Sequence, residues 1–193
     1  MARGTSMNSL CATLAAVAVL FAGCAYDEFA QKGNSGWPIQ TRILRERKHV
    51  EQTHDNAVRL SENAKIGMRV RRLTDGVFST EVLLGKGGEL VLQTRSTPYD
   101  DSVRADAGIV ISVRADSTTV QVGLASVKSA APIPTTKPFV VEIENNGRWT
   151  VVTVACTEVA RIHTTVPSTE WVIASVPSGG WAHLLDPSFT PLN

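Results

Sequence analysis

FVVEIENNGRWTVVTVA, Phe139 to Ala155, sets two runs rich in β-branched and aromatic residues on either side of NNG, residues 145–147. Asparagine and glycine accept the positive φ that a tight reversal demands. The stretch therefore predicts two antiparallel strands, FVVEIE and RWTVVTVA, joined as a β-hairpin.

The same grammar extends in both directions. IVISVRA and VQVGLASV read as a hairpin across DSTT, residues 116–119, and VFSTEVLL and ELVLQTRST read as another across GKGG, residues 85–88. KIGMRVRRL alternates Ile66, Met68 and Val70 with polar neighbours, the period of a half-buried strand. SAAPIPTTKP, residues 129–138, is a proline-rich connection suited to carrying the chain from one sheet to another. TEVARIHTT and TEWVIASV supply two further strands, separated by a turn at Pro167, and GGWAHLLDPSFTPLN reads as an irregular tail. Eight or nine strands joined by tight turns point to an all-β fold, an antiparallel β-sandwich or barrel. One segment has helical character: in residues 41–65, Ile43, Val50, Ala57 and Ala64 recur every seventh residue with polar residues between them, a narrow stripe that suits a helix lying on the sheet or a loop and short strand, and the segment is read as a helix.

A chain of 193 residues that is 43% hydrophobic is long and apolar enough for one globular domain. A formal net charge of +1 gives no global attraction to nucleic acid. The three cysteines, Cys11, Cys24 and Cys156, are odd in number and widely spaced, unlike a zinc site or a disulfide framework. Cys156 reads as a small, buried, inert core residue.

The first two dozen residues have the parts of a secretory signal: Arg3, an apolar stretch from Leu10 to Phe21, and the small pair Ala22 and Gly23 before Cys24. The run is shorter than the roughly 20 apolar residues needed to cross a bilayer. FAGC, residues 21–24, resembles the lipobox of bacterial lipoproteins, with Phe21 in place of the usual leucine. The resemblance covers the signal alone. It implies cleavage between Gly23 and Cys24, a diacylglyceryl thioether on Cys24 and acylation of the new amino terminus; several acyl chains make a stable anchor. Ala25, where an aspartate would hold such a protein in the inner membrane, favours the outer membrane. Cleavage after Ala25 and an uncleaved anchor are the competing readings. On this basis residues 1–23 form the signal peptide, 24–40 a polar, lipidated tether and 41–193 the β domain.

The chemistry-bearing residues form no recognised catalytic motif. GKGGE lacks the Walker pattern and its helix, and no GxSxG elbow occurs. Asp100, Asp101 and Asp106 match no calcium loop. His49 and His54 cannot share a metal unaided from one helix, and Cys156, His163 and His183 remain the one conceivable ligand set, set against ordinary surface or core roles. No catalytic residue, cofactor or metal is assigned. Arg42, Arg45, Arg47 and Lys48, with Arg69, Arg71 and Arg72, would meet an anionic surface if both groups faced one way. Trp37, Trp149, Trp171 and Trp181 are candidate ligand-contact aromatics.

These observations lead to a non-enzymatic envelope lipoprotein, anchored to the membrane, that acts as an adaptor or assembly component and docks an envelope protein partner. The alternatives are a carbohydrate or surface-ligand binding module and a hydrolase whose site is assembled from distant residues.

Overall fold

The computed structural model describes residues 39–54, 56–69, 75–96, 108–129, 133, 137–177 and 179–192. Fourteen strands form two antiparallel sheets of seven. Sheet A runs in the order β1 (Gln40–Arg45), β4 (Lys65–Arg69), β13 (Trp171–Ser175), β6 (Glu89–Thr94), β7 (Ile109–Arg114), β8 (Thr118–Val122) and β9 (Ala125–Ser129). Sheet B runs in the order β12 (Thr157–His163), β11 (Trp149–Val154), β10 (Phe139–Asn146), β5 (Gly76–Leu84), β14 (Trp181–Pro191), β3 (Ala57–Ser61) and β2 (Val50–His54). The expected sandwich is therefore present, with more and shorter strands than the sequence suggested.

The two sheets share one core. Ile66, Leu90, Leu92, Ile109 and Ile111 of sheet A meet Leu60, Phe78, Val82, Val141, Ile143 and Leu184 of sheet B, all of them buried. Each such side chain contributes about 1.5–3 kcal/mol through removal from water. Strand alternation produces this face directly: β10 is buried at every second residue from Phe139 to Asn145, leaving Val140, Glu142 and Glu144 on the other side.

The β10–β11 hairpin forms as the sequence predicts, and SAAPIPTTKP does join β9 of one sheet to β10 of the other; the hairpin expected across DSTT forms in part, with its turn at Ala115–Asp116, Thr118 and Thr119 already in β8, and VQVGLASV broken at Gly123–Leu124 into β8 and β9. Four expectations are corrected. Among the described residues of 41–65 there is no α-helix; they make β1, a 3₁₀ turn (Arg47–His49), β2, β3 and the first residue of β4. Glu46, Glu62 and Asn63 take positive φ there, which breaks the segment into pieces that only neighbouring strands can hold in place.

GKGG is not a hairpin turn, because β5 pairs with β10 and β14 whereas β6 pairs with β13 and β7. It is an arch between the sheets. The apolar faces of its flanking strands oppose each other across the core. Gly88 donates to Gly85 O at 2.8 Å and Gly85 donates to Trp181 O at 2.9 Å. Gly180, at the start of β14, packs so closely that a Cβ there would lie 2.6 Å from Gly88 Cα. The two glycine-rich segments thus nest against each other.

The supposed tail is β14, eleven residues long and central in sheet B. Its Pro187 is accommodated because pairing with β5 lapses between Leu185 and Ser188, where a residue without an N–H costs the ladder nothing. Asp186 takes φ 45° at this bulge and donates its N–H to Asn56 O at 2.8 Å.

Cys156 is exposed rather than buried. It lies with Ala155 in the β11–β12 turn, both at positive φ, and is disulfide-bonded to a partner outside the described residues. Cys11, Cys24 and tether residues 24–38 also lie outside them, whereas Gln40, the last residue of the expected tether, already begins β1. Among the described residues no helix is long and apolar enough to cross a membrane.

Candidate functional site

The outer face of sheet B gathers the polar chemistry. On its central strands β10, β5 and β14, alternation leaves Glu142, Glu144, Glu81, His183 and Trp181 pointing away from the core, all half-buried. Register sorts them into rows. Glu142 faces Ser79 on one side and Thr153 on the other, and Ser79 in turn faces Ser188. Glu144 lies between Val151 and Val77, with Arg161 beyond Val151. Glu81 is opposite Val140, which makes Glu81 and Glu142 diagonal neighbours whose Cα atoms are roughly 7–8 Å apart. Carboxylates in the middle of a sheet face, flanked by hydroxyls, form a surface rich in hydrogen-bond acceptors.

At one end of this face stands Trp181. Its indole lies against Gly85, where a Cβ would sit 2.4 Å from Nε1, so the glycine is what lets the ring lie flat on the sheet. His183 meets it edge-on, with ring centroids 6.1 Å apart. Arg59 of β3 places its Cζ 4.9 Å from the indole centroid, a cation–π contact. Thr53 Oγ1 of β2 lies 3.2 Å from His183 Nε2, in hydrogen-bonding range, and so orients the imidazole. His183 and Arg59 are direct cross-strand partners, as are Arg59 and Glu51. An aromatic plate is thereby framed by a cation and an imidazole at one end of the face; Glu81, level with Leu185, lies four residues along the strands from it, and Glu142 and Glu144, level with Ser79 and Val77, lie further along still.

The other tryptophans do not join it. Trp149 is 48% exposed at the opposite end of sheet B, in edge contact with His163 at 4.9 Å. Trp171 lies on the outer side of sheet A over Gly67, where a Cβ would be 2.9 Å from the ring. Arg69 covers it, with Cζ 5.5 Å from the ring, and is held by Glu170 through Nη2 at 2.6 Å and Nε at 2.8 Å. Trp37 lies outside the described residues. The four tryptophans are therefore no single platform.

The basic residues are also divided. Arg42, Arg45, Arg47 and Lys48 are exposed along β1 and the 3₁₀ turn, Arg69 is committed to Glu170 and Trp171, and Arg71 and Arg72 lie outside the described residues. Cys156, in the turn before β12, and His163, at the far end of that strand, are held apart by its length. Among the described residues no three His, Cys, Asp or Glu side chains converge as metal ligands.

Behind Trp149 sits a buried polar relay. Arg95, 2% exposed and at φ 57°, donates from Nε to Thr150 Oγ1 at 2.7 Å, from Nη1 to Val166 O at 2.6 Å, and from Nη2 to the carbonyls of Gly147 and Trp149, both at 2.8 Å. Thr150 Oγ1 donates onward to Asn145 Oδ1, and Asn145 Nδ2 to Thr94 Oγ1, each at 2.7 Å. The relay ties β6 of sheet A to β10 and β11 of sheet B. Burial pushes the Arg95 guanidinium below its ordinary pKa, while the field of Asp75 opposes the shift.

Sequence reasoning missed Glu81, Glu142, Glu144, Arg59 and Arg95. The alternation in VVEIE already placed Glu142 and Glu144 on one face. Their union with Glu81 and Trp181 depends on strand order, which the linear pattern does not contain.

No family model matches the sequence, and no curated protein resembles it in sequence. Solved structures do match in fold. A carbohydrate-binding module, CBM66 from Bacillus subtilis, is 12% identical with a TM-score of 0.58, over 77% of this chain and 94% of that one. The β-glucanase of Bacillus licheniformis is 12% identical with a TM-score of 0.60, over 82% and 94%. The laminarinase catalytic domain of Thermotoga maritima is 10% identical with a TM-score of 0.57, over 77% and 82%. These neighbours overturn the expectation of a non-enzymatic adaptor and turn attention to the carbohydrate alternative. The likeness itself is one of fold, a sandwich used by binding modules and enzymes alike.

Proposed function

We propose that the domain binds carbohydrate on the outer face of sheet B. The observation that carries this reading is one sheet face that bears Trp181, framed by His183 and Arg59, at one end and the half-buried carboxylates Glu81, Glu142 and Glu144 along its length, about 13 to 26 Å further on, a span that suits a chain of sugars rather than one ring. A sugar ring offers an apolar C–H face and a rim of hydroxyls. An indole plate buries the first in one sugar, with a guanidinium beside it, while carboxylates and hydroxyls further along the face hydrogen-bond the second in later sugars of the same chain. The shared fold with a carbohydrate-binding module supports the reading. Binding to a panel of polysaccharides, lost in Trp181→Ala with the thermal unfolding midpoint retained, is the expected result; a correctly folded chain that binds no glycan would sink it.

A second reading rests on Glu81 and Glu142. Two carboxyl groups about 5–10 Å apart are what glycoside hydrolysis uses, one as acid and the other as nucleophile or base. Their placement as diagonal neighbours on one face is compatible with that range. Reducing sugar released by the native chain, and abolished in Glu142→Gln while binding persists, would favour the enzyme over the binding module.

The place of action follows from the sequence FAGC: the domain is proposed to be displayed at the cell envelope, on the outer membrane where the host has one, by a lipid on Cys24. Cys24→Ser is expected to abolish labelling by radioactive palmitate and to release the chain from membranes. Retention of both would refute the anchor.

A further inference from the structure

A sandwich of open sheets has four edge strands, here β1 and β9 of sheet A and β12 and β2 of sheet B. An exposed edge is a template for further strands, and proteins blunt it with bulges and charges. Three of the four are blunted. Register shifts interrupt β1 between Ile43 and Arg45, β2 between Gln52 and His54, and the β11–β12 ladder between Val152 and Thr153. The same strands carry Arg42 and Arg45, Glu51, and Glu158 and Arg161. β9 differs in its ladder: its pairing with β8 is unbroken from Val122↔Ala125 to Thr118↔Ser129, ASVKS contains no proline, and Lys128 is its one charge. Its side chains from Ala125 to Lys128 are exposed, Val127 by 52%, and Leu124 at the hairpin tip is fully exposed. Among the described residues no strand pairs with its free side.

We infer that β9 is the dimerisation edge of this protein, joining a second copy of the chain through antiparallel β9–β9 pairing about a twofold axis at Val127. The register follows from the hairpin. Gly123 and Leu124 form a two-residue turn, so Val122 and Ala125 close the ladder as a hydrogen-bonded pair. Hydrogen bonding then alternates along β9. Ala125, Val127 and Ser129 direct their N–H and C=O groups to β8, and Ser126 and Lys128 direct theirs to the free edge. A second β9 satisfies those four groups in the register that sets Ser126 against Lys128 of the second copy, with Val127 facing Val127 of the second copy as the non-hydrogen-bonded pair.

Charge selects this register over its neighbours. A shift centred on Lys128 would oppose two ammonium groups; the register centred on Val127 sets each Lys128 against a serine. Val127 pairs with Val120, whose side chain is in the core, so it points to the interior side of the sheet. It stays exposed in the single chain and gains an apolar partner in the dimer. The contact is isologous, as closed dimers require, and fuses the two A sheets into one. Five residues a side make a small interface, so association is reversible.

The test is sedimentation velocity of the purified full chain in detergent across a concentration series, beside two variants. Ser126→Pro removes an N–H that serves only the free edge, and Val127→Lys places like charges on the axis. The expected result is a monomer–dimer equilibrium weakened at least about tenfold by either variant, with unchanged thermal unfolding at concentrations where all are monomeric. In a Cys156→Ser background, where position 156 cannot crosslink, Val127→Cys should in addition form an oxidised dimer that the background chain and Ser129→Cys do not, because only position 127 meets itself across the axis. A native chain that stays monomeric throughout overturns the inference. So does a dimer that survives both substitutions, or one that Val127→Cys fails to crosslink.

Discussion

Arg95 shows how much one residue can hold. Its guanidinium, removed from water, faces four acceptors drawn from the β10–β11 turn, β11 and the segment before β13. Truncation would leave those acceptors unmatched in a site too enclosed to hydrate them freely. Arg95→Met is therefore expected to cost about 3–5 kcal/mol, read as a lowered denaturant midpoint. An unchanged midpoint would mean that the relay is not fully formed. At the same scale the cysteines pose a choice. The lipoprotein reading removes Cys11 with the signal and leaves Cys24 and Cys156 as the only cysteines of the mature chain. A thioether on Cys24 and an intramolecular disulfide at Cys156 then exclude each other. Alkylation of the unreduced protein followed by mass spectrometry separates them: a lipidated chain should be alkylated at Cys156, and a disulfide-linked chain should not until it is reduced.

Among the elements, β14 connects fold and site, since Trp181 and His183 both stand on it and its position is set by the nested glycines. Gly85→Ala would drive a methyl group into the indole, whereas Gly180→Ala would drive one into the backbone of Gly88. The first is expected to cost about 1–3 kcal/mol and to displace Trp181, seen as a shifted tryptophan emission and weaker glycan binding. The second should be the more destabilising, because backbone cannot swing aside. Equal and negligible effects would deny that these glycines are packing devices. The same elements mark the limit of what the sequence discloses. The NNG and DSTT hairpins were legible because neighbouring runs with a tight turn between them pair locally. GKGG has the same turn chemistry yet forms an arch, for a turn residue satisfies its own φ and does not know whether the next strand shares a sheet. β14 was hidden by Pro187, whose usual exclusion from central strands is lifted at a bulge. The 41–65 segment misled because a seven-residue recurrence of four small or branched residues carries little information when left-handed turns lie between them. For the site, alternation gave the facing of Glu142 and Glu144, but their neighbours Glu81 and Trp181 come from strands 60 residues before and 40 residues after in the chain, beyond any local pattern.

At the scale of the whole molecule, charge decides which glycans suit the face. The chain is nearly neutral at +1, so no long-range field gathers ligands of either sign. Among the described residues the outer face of sheet B carries more carboxylates than cations: Glu81, Glu142, Glu144 and Glu51 beside Arg59 and Arg161, and Arg161 is itself engaged with Glu158 at 2.7 Å. A polyanionic chain such as a uronate or sulfated polymer would bring like charges onto those carboxylates, whereas a neutral polysaccharide would meet them only as hydrogen-bond acceptors. Binding is therefore expected to favour neutral glycans and to change less than about twofold between low and physiological salt, because screening acts on charge pairs and not on stacking or neutral hydrogen bonds. Isothermal titration at several ionic strengths measures this directly. A steep loss of affinity with salt would instead assign the interaction to the exposed cations of β1 and the adjoining turn, Arg42, Arg45, Arg47 and Lys48, and would move the binding surface away from Trp181 altogether.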